Sequence, residues 1–72
     1  MILVFKGTDT PVHIGDRIND YTGEMFIIRS WTEPESSSHV GRVLARRVGS
    51  MKVDRYYPSA FKLEWRKEKG EH

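Results

Sequence analysis

The amino-acid sequence predicts a single small all-β domain, folded as a partly open barrel of five strands. No internal segment places apolar residues at helical spacing over three turns. Short runs of β-branched and aromatic residues instead recur about every ten residues, between Gly, Pro, Asp or Ser. With 72 residues, the chain has room for one hydrophobic core. We therefore expect one domain over residues 1–65 and a charged, frayed C-terminal tail over residues 66–72.

Glycine, proline and aspartate divide the chain into strand-like segments. Pro11 fits an edge strand or the start of a strand, because proline cannot donate a hydrogen bond to a ladder. Gly15-Asp16 is typical of a tight turn or bulge that leads into a strand, and residues 21–23 turn the chain into its strongest strand candidate. Residues 33–39 are polar, so we expect an exposed and mobile loop there. Six segments are strand-like: residues 2–5, 17–20, 24–32, 40–48, 51–57 and 62–65. From them we expect a barrel of five strands.

The clearest hairpin lies in the second half of the chain. Two strand-like runs flank Gly49-Ser50, a pair that suits a two-residue turn of the primed type. Gly41, inside the first of these runs, indicates a bulge or a close approach of two backbones. Residues 58–61, Pro-Ser-Ala-Phe, predict one 3-10 turn before the last strand, because proline is preset for the first position of a helical turn.

Two short motifs in this order of elements resemble SH3-like barrels. Residues 14–18, Ile-Gly-Asp-Arg-Ile, are similar to the Gly-Asp-x-hydrophobic turn that begins a strand in many such barrels. Residues 57–63 resemble the Pro-Ser-x-aromatic turn that SH3 domains place before their final strand. The resemblance covers residues 12–65 and implies an SH3-like barrel. Peptide-binding SH3 domains have a Trp-Trp pair where residues 40–42 are Val-Gly-Arg, so the resemblance does not extend to recognition of proline-rich peptides.

A second resemblance concerns the C-terminal half of the chain. Residues 41–43, Gly-Arg-Val, followed by residues 56–65 look like the ending of small phage and prophage proteins of unassigned function. This resemblance implies an origin in a mobile element and supplies no activity.

Cysteine content and the N-terminus bear on the cellular compartment. The chain has no cysteine, which excludes a disulfide framework and a thiolate zinc site and suits a reducing cytoplasm. The apolar run over residues 1–5 is interrupted by Lys6, Gly7 and Asp9, too early for a secretory signal or a membrane span. We therefore predict a location in the cytoplasm of a host cell, with no membrane partner.

Charge is unevenly distributed along the chain. Residues 1–39 carry three basic and six acidic groups, a formal charge of −3, whereas residues 40–72 carry nine and four, a charge of +5. Several of the basic groups fall in the predicted hairpin, where arginines in a row can contact phosphates or an acidic protein surface. The candidate binding residues in this basic half are Arg42, Arg46, Arg47, Lys52 and Arg55.

Strand alternation divides these basic residues between two sides of the hairpin. Side chains of one strand point alternately to opposite faces, so Arg42 and Arg46 share one face while Arg47 lies on the other. The alternative to a binding surface is a solvated exterior, on which charges keep edge strands from pairing.

Aromatic residues form the second candidate surface. Tyrosine and tryptophan beside arginine can stack bases or anchor a peptide, and Tyr21 and Trp31 flank predicted loops, so we expect both to be exposed. Others must fill the core of so short a chain. The predicted core aromatics are Phe5, Phe26, Phe61 and at least one of Tyr56 and Tyr57.

The remaining polar residues give no catalytic or metal-binding pattern. His13, His39 and His72 have no paired spacing on a common element, so the sequence predicts no metal site. The serine run at residues 36–38 lacks a nucleophile-elbow context and a placed histidine base. No glycine pattern corresponds to a phosphate-binding loop. We expect no cofactor and no enzymatic activity.

The sequence therefore predicts a non-enzymatic binding module, encoded by a phage or prophage, that engages nucleic acid or an acidic partner through its basic C-terminal half. One alternative is a protein-interaction module that modulates a host protein through Tyr21, Trp31 and the serine-rich loop. Another is a subunit of a larger homo-oligomeric or virion assembly, since short barrels can add strands across exposed edges.

Overall fold

The all-β prediction is confirmed by the structure, a computed structural model that describes residues 1–35 and 40–67. The described residues form two antiparallel sheets, one of four strands in the order β2-β3-β4-β5 and one of two strands, β1 and β6. They are not closed into a barrel within these residues. The elements in chain order are β1 (Ile2–Phe5), β2 (Arg17–Asn19), β3 (Met25–Thr32), β4 (Arg42–Arg47), β5 (Val53–Tyr56), a 3-10 turn (Pro58–Phe61) and β6 (Leu63–Arg66).

The strand count corrects the prediction of five strands, since the described residues form six. All six correspond to strand-like segments of the sequence, so only the total was too low. The short β2, expected over residues 17–20, pairs with the start of β3 through Arg17 opposite Ile27 and Ile18 opposite Phe26. The predicted 3-10 turn over residues 58–61 is confirmed.

One stretch of chain between β1 and β2 bonds to both sheets. Val12 N donates to Leu3 O at 2.8 Å on the β1 side, and Gly15 N donates to Ile28 O at 2.7 Å on the β3 side. Pro11 bridges to Val4 of β1. The predicted turn at Gly15-Asp16 is confirmed, because Gly15 has a φ of 94°.

Three aromatic rings meet in the hydrophobic core, those of Phe26 and Phe61 buried and that of Tyr56 partly buried. Phe26, Tyr56 and Phe61 meet edge to face, with ring centroids 5.2 to 5.4 Å apart, the arrangement that aromatic quadrupoles favour. Phe5 packs against this core and is partly buried. The predicted core aromatics are thus confirmed, and Tyr57 is the tyrosine that stays outside.

The connection between β4 and β5 differs from the predicted two-residue turn. β4 ends at Arg47 and β5 begins at Val53. Ser50 N donates to Arg47 O at 3.0 Å, and Gly49 has a φ of 92°, which is the glycine position of a type II turn. The prediction is wrong because Val48 N bonds to Met25 O of β3 at 3.0 Å. This bond holds Val48 against β3 rather than β5.

Gly41 lies where two parts of the backbone meet, as the sequence predicts. It is buried and has a φ of 69°. A Cβ at this position would collide with Thr32 O and would lie 3.0 Å from Trp65 Cζ2. The Trp65 indole donates to Val40 O at 2.7 Å and fixes the adjacent residue. The start of β4 is therefore clamped between the end of β3 and β6.

The two predicted mobile segments lie partly outside the described residues. In the loop after β3, Pro34 is half-buried and Glu33 and Glu35 are exposed, while residues 36–39 are outside the described range. The predicted tail begins one residue too early, because Arg66 belongs to β6, and residues 68–72 are outside the described range. No helix in the described part of the chain is long and apolar enough to cross a membrane.

Candidate functional site

The side of the four-stranded sheet that points away from the core carries four arginines. Val43 and Ala45 of β4 are fully buried, so Arg42, Leu44 and Arg46 point away from the core. Cross-strand partners share a face: Arg55 lies opposite Leu44, and Ile27 lies opposite both Arg46 and Arg17. We call this surface the outer face. Its members are Arg17, Arg42, Arg46 and Arg55, with Ile27, Leu44 and Val53 between them.

The strand geometry sets the spacing of these arginines. Arg42 and Arg46 are four residues apart on β4, which separates their Cα atoms by about 13 Å. Arg55 lies on β5, the strand next to β4. Arg17 lies on β2, on the other side of β4, and the β2 and β4 backbones are about 10 Å apart. The four side chains therefore arise from one continuous patch of sheet. Arg29 is also exposed, but it lies in the bulge of β3 and has no partner residue that fixes its side.

Two arginines of the outer face, Arg42 and Arg46, contact uncharged groups. Arg42 donates to Gly41 O at 2.7 Å, and its guanidinium carbon lies 4.1 Å from the centroid of the Tyr57 ring. Arg46 donates to Ser50 O at 2.8 Å. Among the described residues, none of the four arginines forms an ion pair with a carboxylate. These guanidinium groups therefore have no direct carboxylate contact within the described part of the chain, although Glu33 and Glu35 lie near Arg42 and Arg55.

The other two basic residues of the predicted site lie elsewhere and are paired. Arg47 approaches Glu24 to 3.3 Å, and Lys52 approaches Asp54 to 3.8 Å. Both line an open concavity at one end of the sheet, together with Asp20 and the two paired acids. Three of the five predicted basic residues, Arg42, Arg46 and Arg55, thus lie on the outer face. The other two line the concavity, where acids offset their charge. The division of Arg42 and Arg46 from Arg47 agrees with the strand alternation.

The two predicted aromatic contacts have different environments. Tyr21 is 80% exposed, as expected. Trp31 is half-buried and packs against the core, so the expectation that it is exposed is wrong. The reason is the bulge between Ile28 and Ser30, after which Trp31 pairs with the buried Val43 and faces inward.

Tyr21 sits in a turn that the Asp20 carboxylate holds together. This carboxylate accepts hydrogen bonds from Thr22 Oγ1 at 2.6 Å, from Thr22 N at 2.9 Å and from Glu24 N at 3.0 Å. The hydroxyl bond, supported by the backbone bonds, holds the pKa of Asp20 below its ordinary value. The turn is at the opposite end of β3 from Arg42, so Tyr21 does not join the outer-face patch at Arg42 and Tyr57.

Two members of the site were missed by the sequence analysis. Arg17 belongs to the acidic N-terminal half, and counting charges by halves hid it. Its position beside the inward-facing Ile18 could have placed it on the outer face, had the β2–β3 pairing been known. Tyr57 belongs to the site because its ring contacts the Arg42 guanidinium. The sequence made it a core candidate, yet it is 54% exposed.

Metal ligation has no support within residues 1–35 and 40–67, where no group of three His, Cys, Asp or Glu side chains converges. His13 is exposed and lies 4.0 Å from Asp16. His39 and His72 lie outside the described residues.

Comparison of the chain with protein-family models, with curated proteins and with solved structures finds no match. Functional inference therefore depends on the chemistry of the outer face itself.

Proposed function

We propose that the protein is a non-enzymatic binding module that engages nucleic acid through the outer face. The observation that supports this most strongly is the placement of Arg17, Arg42, Arg46 and Arg55 on one sheet surface, without a carboxylate partner among the described residues. Guanidinium groups form strong charge-assisted hydrogen bonds with phosphate oxygens. Each phosphate that they neutralise releases condensed counterions, which favours binding.

The proposed surface differs from the one expected from sequence. The basic C-terminal half supplies Arg42, Arg46 and Arg55, while Arg17 comes from the N-terminal half. Arg47 and Lys52 fit this role less well, because each already contacts an acid. An acidic protein surface is the alternative ligand for the same arginines.

Salt dependence tests the proposal. Binding of the purified protein to a fluorescently labelled oligonucleotide is measured by anisotropy between 50 and 200 mM salt. Four neutralised phosphates give a slope of log affinity against log salt of about −2.8 for a single strand and about −3.6 for a duplex. Affinity should therefore fall by about 50- to 150-fold over this range.

A matched pair of double variants locates the contact. Arg46→Gln with Arg55→Gln removes two charges from the outer face and should make the slope shallower by about 1.4 to 1.8. Arg47→Gln with Lys52→Gln removes the same net charge from the concavity and should leave the slope unchanged. Equal losses in both variants, or no binding of either nucleic acid at 50 mM salt, would refute the proposal.

A protein-interaction module is the second candidate, and one feature favours it. Tyr21 and Met51 are 80% and 92% exposed, so two large apolar side chains are available for a protein contact. The half-burial of Trp31 removes one of the contacts expected for this function. Capture of a single protein that survives nuclease treatment and is lost with Tyr21→Ala would favour this candidate.

We also propose that the fold is related to SH3-like barrels and that the chain derives from a phage or prophage. The first is supported by the Gly15 turn, by the 3-10 turn before the last strand and by the pairing of the first strand with the last. The phage or prophage origin depends on sequence resemblance alone. The cytoplasmic location stays a prediction.

A further inference from the structure

We infer that the nucleic acid bound by the outer face is single-stranded, and that one unpaired base stacks on the pair formed by Arg42 and Tyr57. This inference rests on the proposed function and names its ligand class. It follows from the geometry of the pair, from its rigidity and from the charges next to it.

The Arg42–Tyr57 pair brings two planar groups together at a partly exposed position. The guanidinium carbon lies over the tyrosine ring at 4.1 Å from the centroid, within cation–π distance. Arg42 Nη2 also approaches the Tyr57 hydroxyl at 3.3 Å. Tyr57 is 54% exposed, although it is a large aromatic residue. Planar aromatic and guanidinium groups of this kind are the ones on which unpaired bases stack.

Local contacts and dihedral restrictions constrain the backbone on both sides of the pair. Tyr57 is extended, with φ −71° and ψ 143°, and the following Pro58 disfavours helical conformations at this position. Next to Arg42, Gly41 O accepts the hydrogen bond from the Arg42 guanidinium at 2.7 Å, and Gly41 packs closely against Thr32 and Trp65. A rigid surface loses little conformational entropy on binding, which favours affinity.

A shallow concavity beside the pair combines positive and negative groups. Its volume is about 310 Å³, at the lower end of the range for small-ligand sites. Arg42 and Arg55 line it and can hold a phosphate, whereas Glu33 and Glu35 repel phosphates. Carboxylates accept hydrogen bonds from the amino groups of bases. The lining residues are Thr32, Glu33, Glu35, Gly41, Arg42 and Arg55.

This combination distinguishes single strands from duplexes. In a duplex the Watson–Crick edges are occupied and each base is stacked between its neighbours, so the concavity would receive only phosphates. A single strand can present a base face to the Arg42–Tyr57 pair and an amino group to Glu33 or Glu35 while its phosphates reach the arginines.

The test compares one labelled 20-nucleotide DNA as a single strand and as a duplex with its complement, using the full chain. The single strand should bind about 5- to 150-fold more tightly, the factor that one base–aromatic stack supplies. Tyr57→Leu should remove this advantage and leave the duplex affinity and the salt slope unchanged. Tyr57→Phe should retain the advantage, because the ring remains.

Two further variants keep the interpretation specific. Tyr21→Leu removes a tyrosine that is more exposed than Tyr57 and lies at the other end of β3, and it should change neither affinity. Arg42→Lys keeps the charge but loses the planar group, so it should weaken the single strand more than the duplex. Thermal melts verify that each variant is folded.

The outcomes separate this inference from the proposed function. Equal affinities for single strand and duplex, with the expected salt slope, would overturn the single-strand inference and leave the proposed function intact. A single-strand advantage that Tyr57→Leu does not reduce, or that Tyr21→Leu reduces equally, would overturn the role of the pair. No binding to either form would overturn both.

Discussion

Gly41 is the residue whose replacement should disturb both the fold and the proposed site. It has a φ of 69°, in the left-handed region, and it is packed against the end of β3 and against β6. Its carbonyl oxygen also accepts the bond that positions the Arg42 guanidinium. Gly41→Ala should therefore destabilise the domain and loosen the adjacent part of the outer face.

The expected magnitude has two parts. A left-handed conformation costs a non-glycine residue about 1 to 2 kcal/mol. The added methyl group meets the Thr32 carbonyl oxygen and lies 3.1 Å from Pro34 N, and such overpacking costs about 1 to 3 kcal/mol more. The sum, about 2 to 5 kcal/mol, is large beside the total stability of about 4 to 11 kcal/mol expected for a domain of this size.

Urea unfolding followed by circular dichroism measures the effect, and Gly7→Ala is the matched control. Gly7 has a similar φ of 78°, but nothing lies within 4 Å of the position its Cβ would occupy. Gly7→Ala should therefore lose only about 1 to 2 kcal/mol. The difference between the variants isolates the close approach at Gly41. Equal losses in the two variants would refute the packing argument.

Three further predictions concern the core, the charged end of the sheet and the response to acid. Ile28 is fully buried, so Ile28→Ala should reduce the free energy of unfolding by about 2 to 5 kcal/mol and Ile28→Val by about 0.5 to 1.5; urea titration showing no difference between them would contradict this. Arg47→Gln removes an exposed ion pair with Glu24 and should change stability by less than about 1 kcal/mol, so a larger loss would disqualify it as a control. A hydrogen bond from Thr22 lowers the pKa of Asp20, and one from Arg66 lowers the pKa of Glu64. The contribution of these two carboxylates to the free energy of unfolding is therefore present above their ordinary pKa values. It is lost as the pH falls through the lowered pKa values of the folded state. Urea midpoints should decrease over this acid range, and less steeply in Asp20→Asn; an unchanged acid profile in that variant would count against the role of Asp20.

Local chemistry explains why several turns could be predicted from the sequence. Gly15 and Gly41 occupy backbone conformations that side chains disfavour, and proline at position 58 is preset for a helical turn. Each of these signals depends on the residue itself and its immediate neighbours. The strand segments could also be predicted from the sequence, because β-branched and aromatic runs alternate with turn residues.

Features set by pairing between distant strands could not be predicted. The connection after β4 depends on the bond from Val48 to Met25 of β3, and the inward orientation of Trp31 depends on a bulge in the β3–β4 pairing. The same limit applies to the candidate site. Alternation along β4 separates Arg42 and Arg46 from Arg47, but only the cross-strand register brings Arg17 and Arg55 to the same face.

The most direct test of the central claim is a nuclear magnetic resonance titration that follows the arginine Nε–Hε signals as a single-stranded oligonucleotide is added. If the outer face is the binding surface, the signals of its four arginines shift together and reach saturation. These are Arg17, Arg42, Arg46 and Arg55. Arg47 and Arg66, which are paired with acids elsewhere, should not shift. Shifts confined to Arg47, or uniform small shifts of all arginines, would contradict the claim.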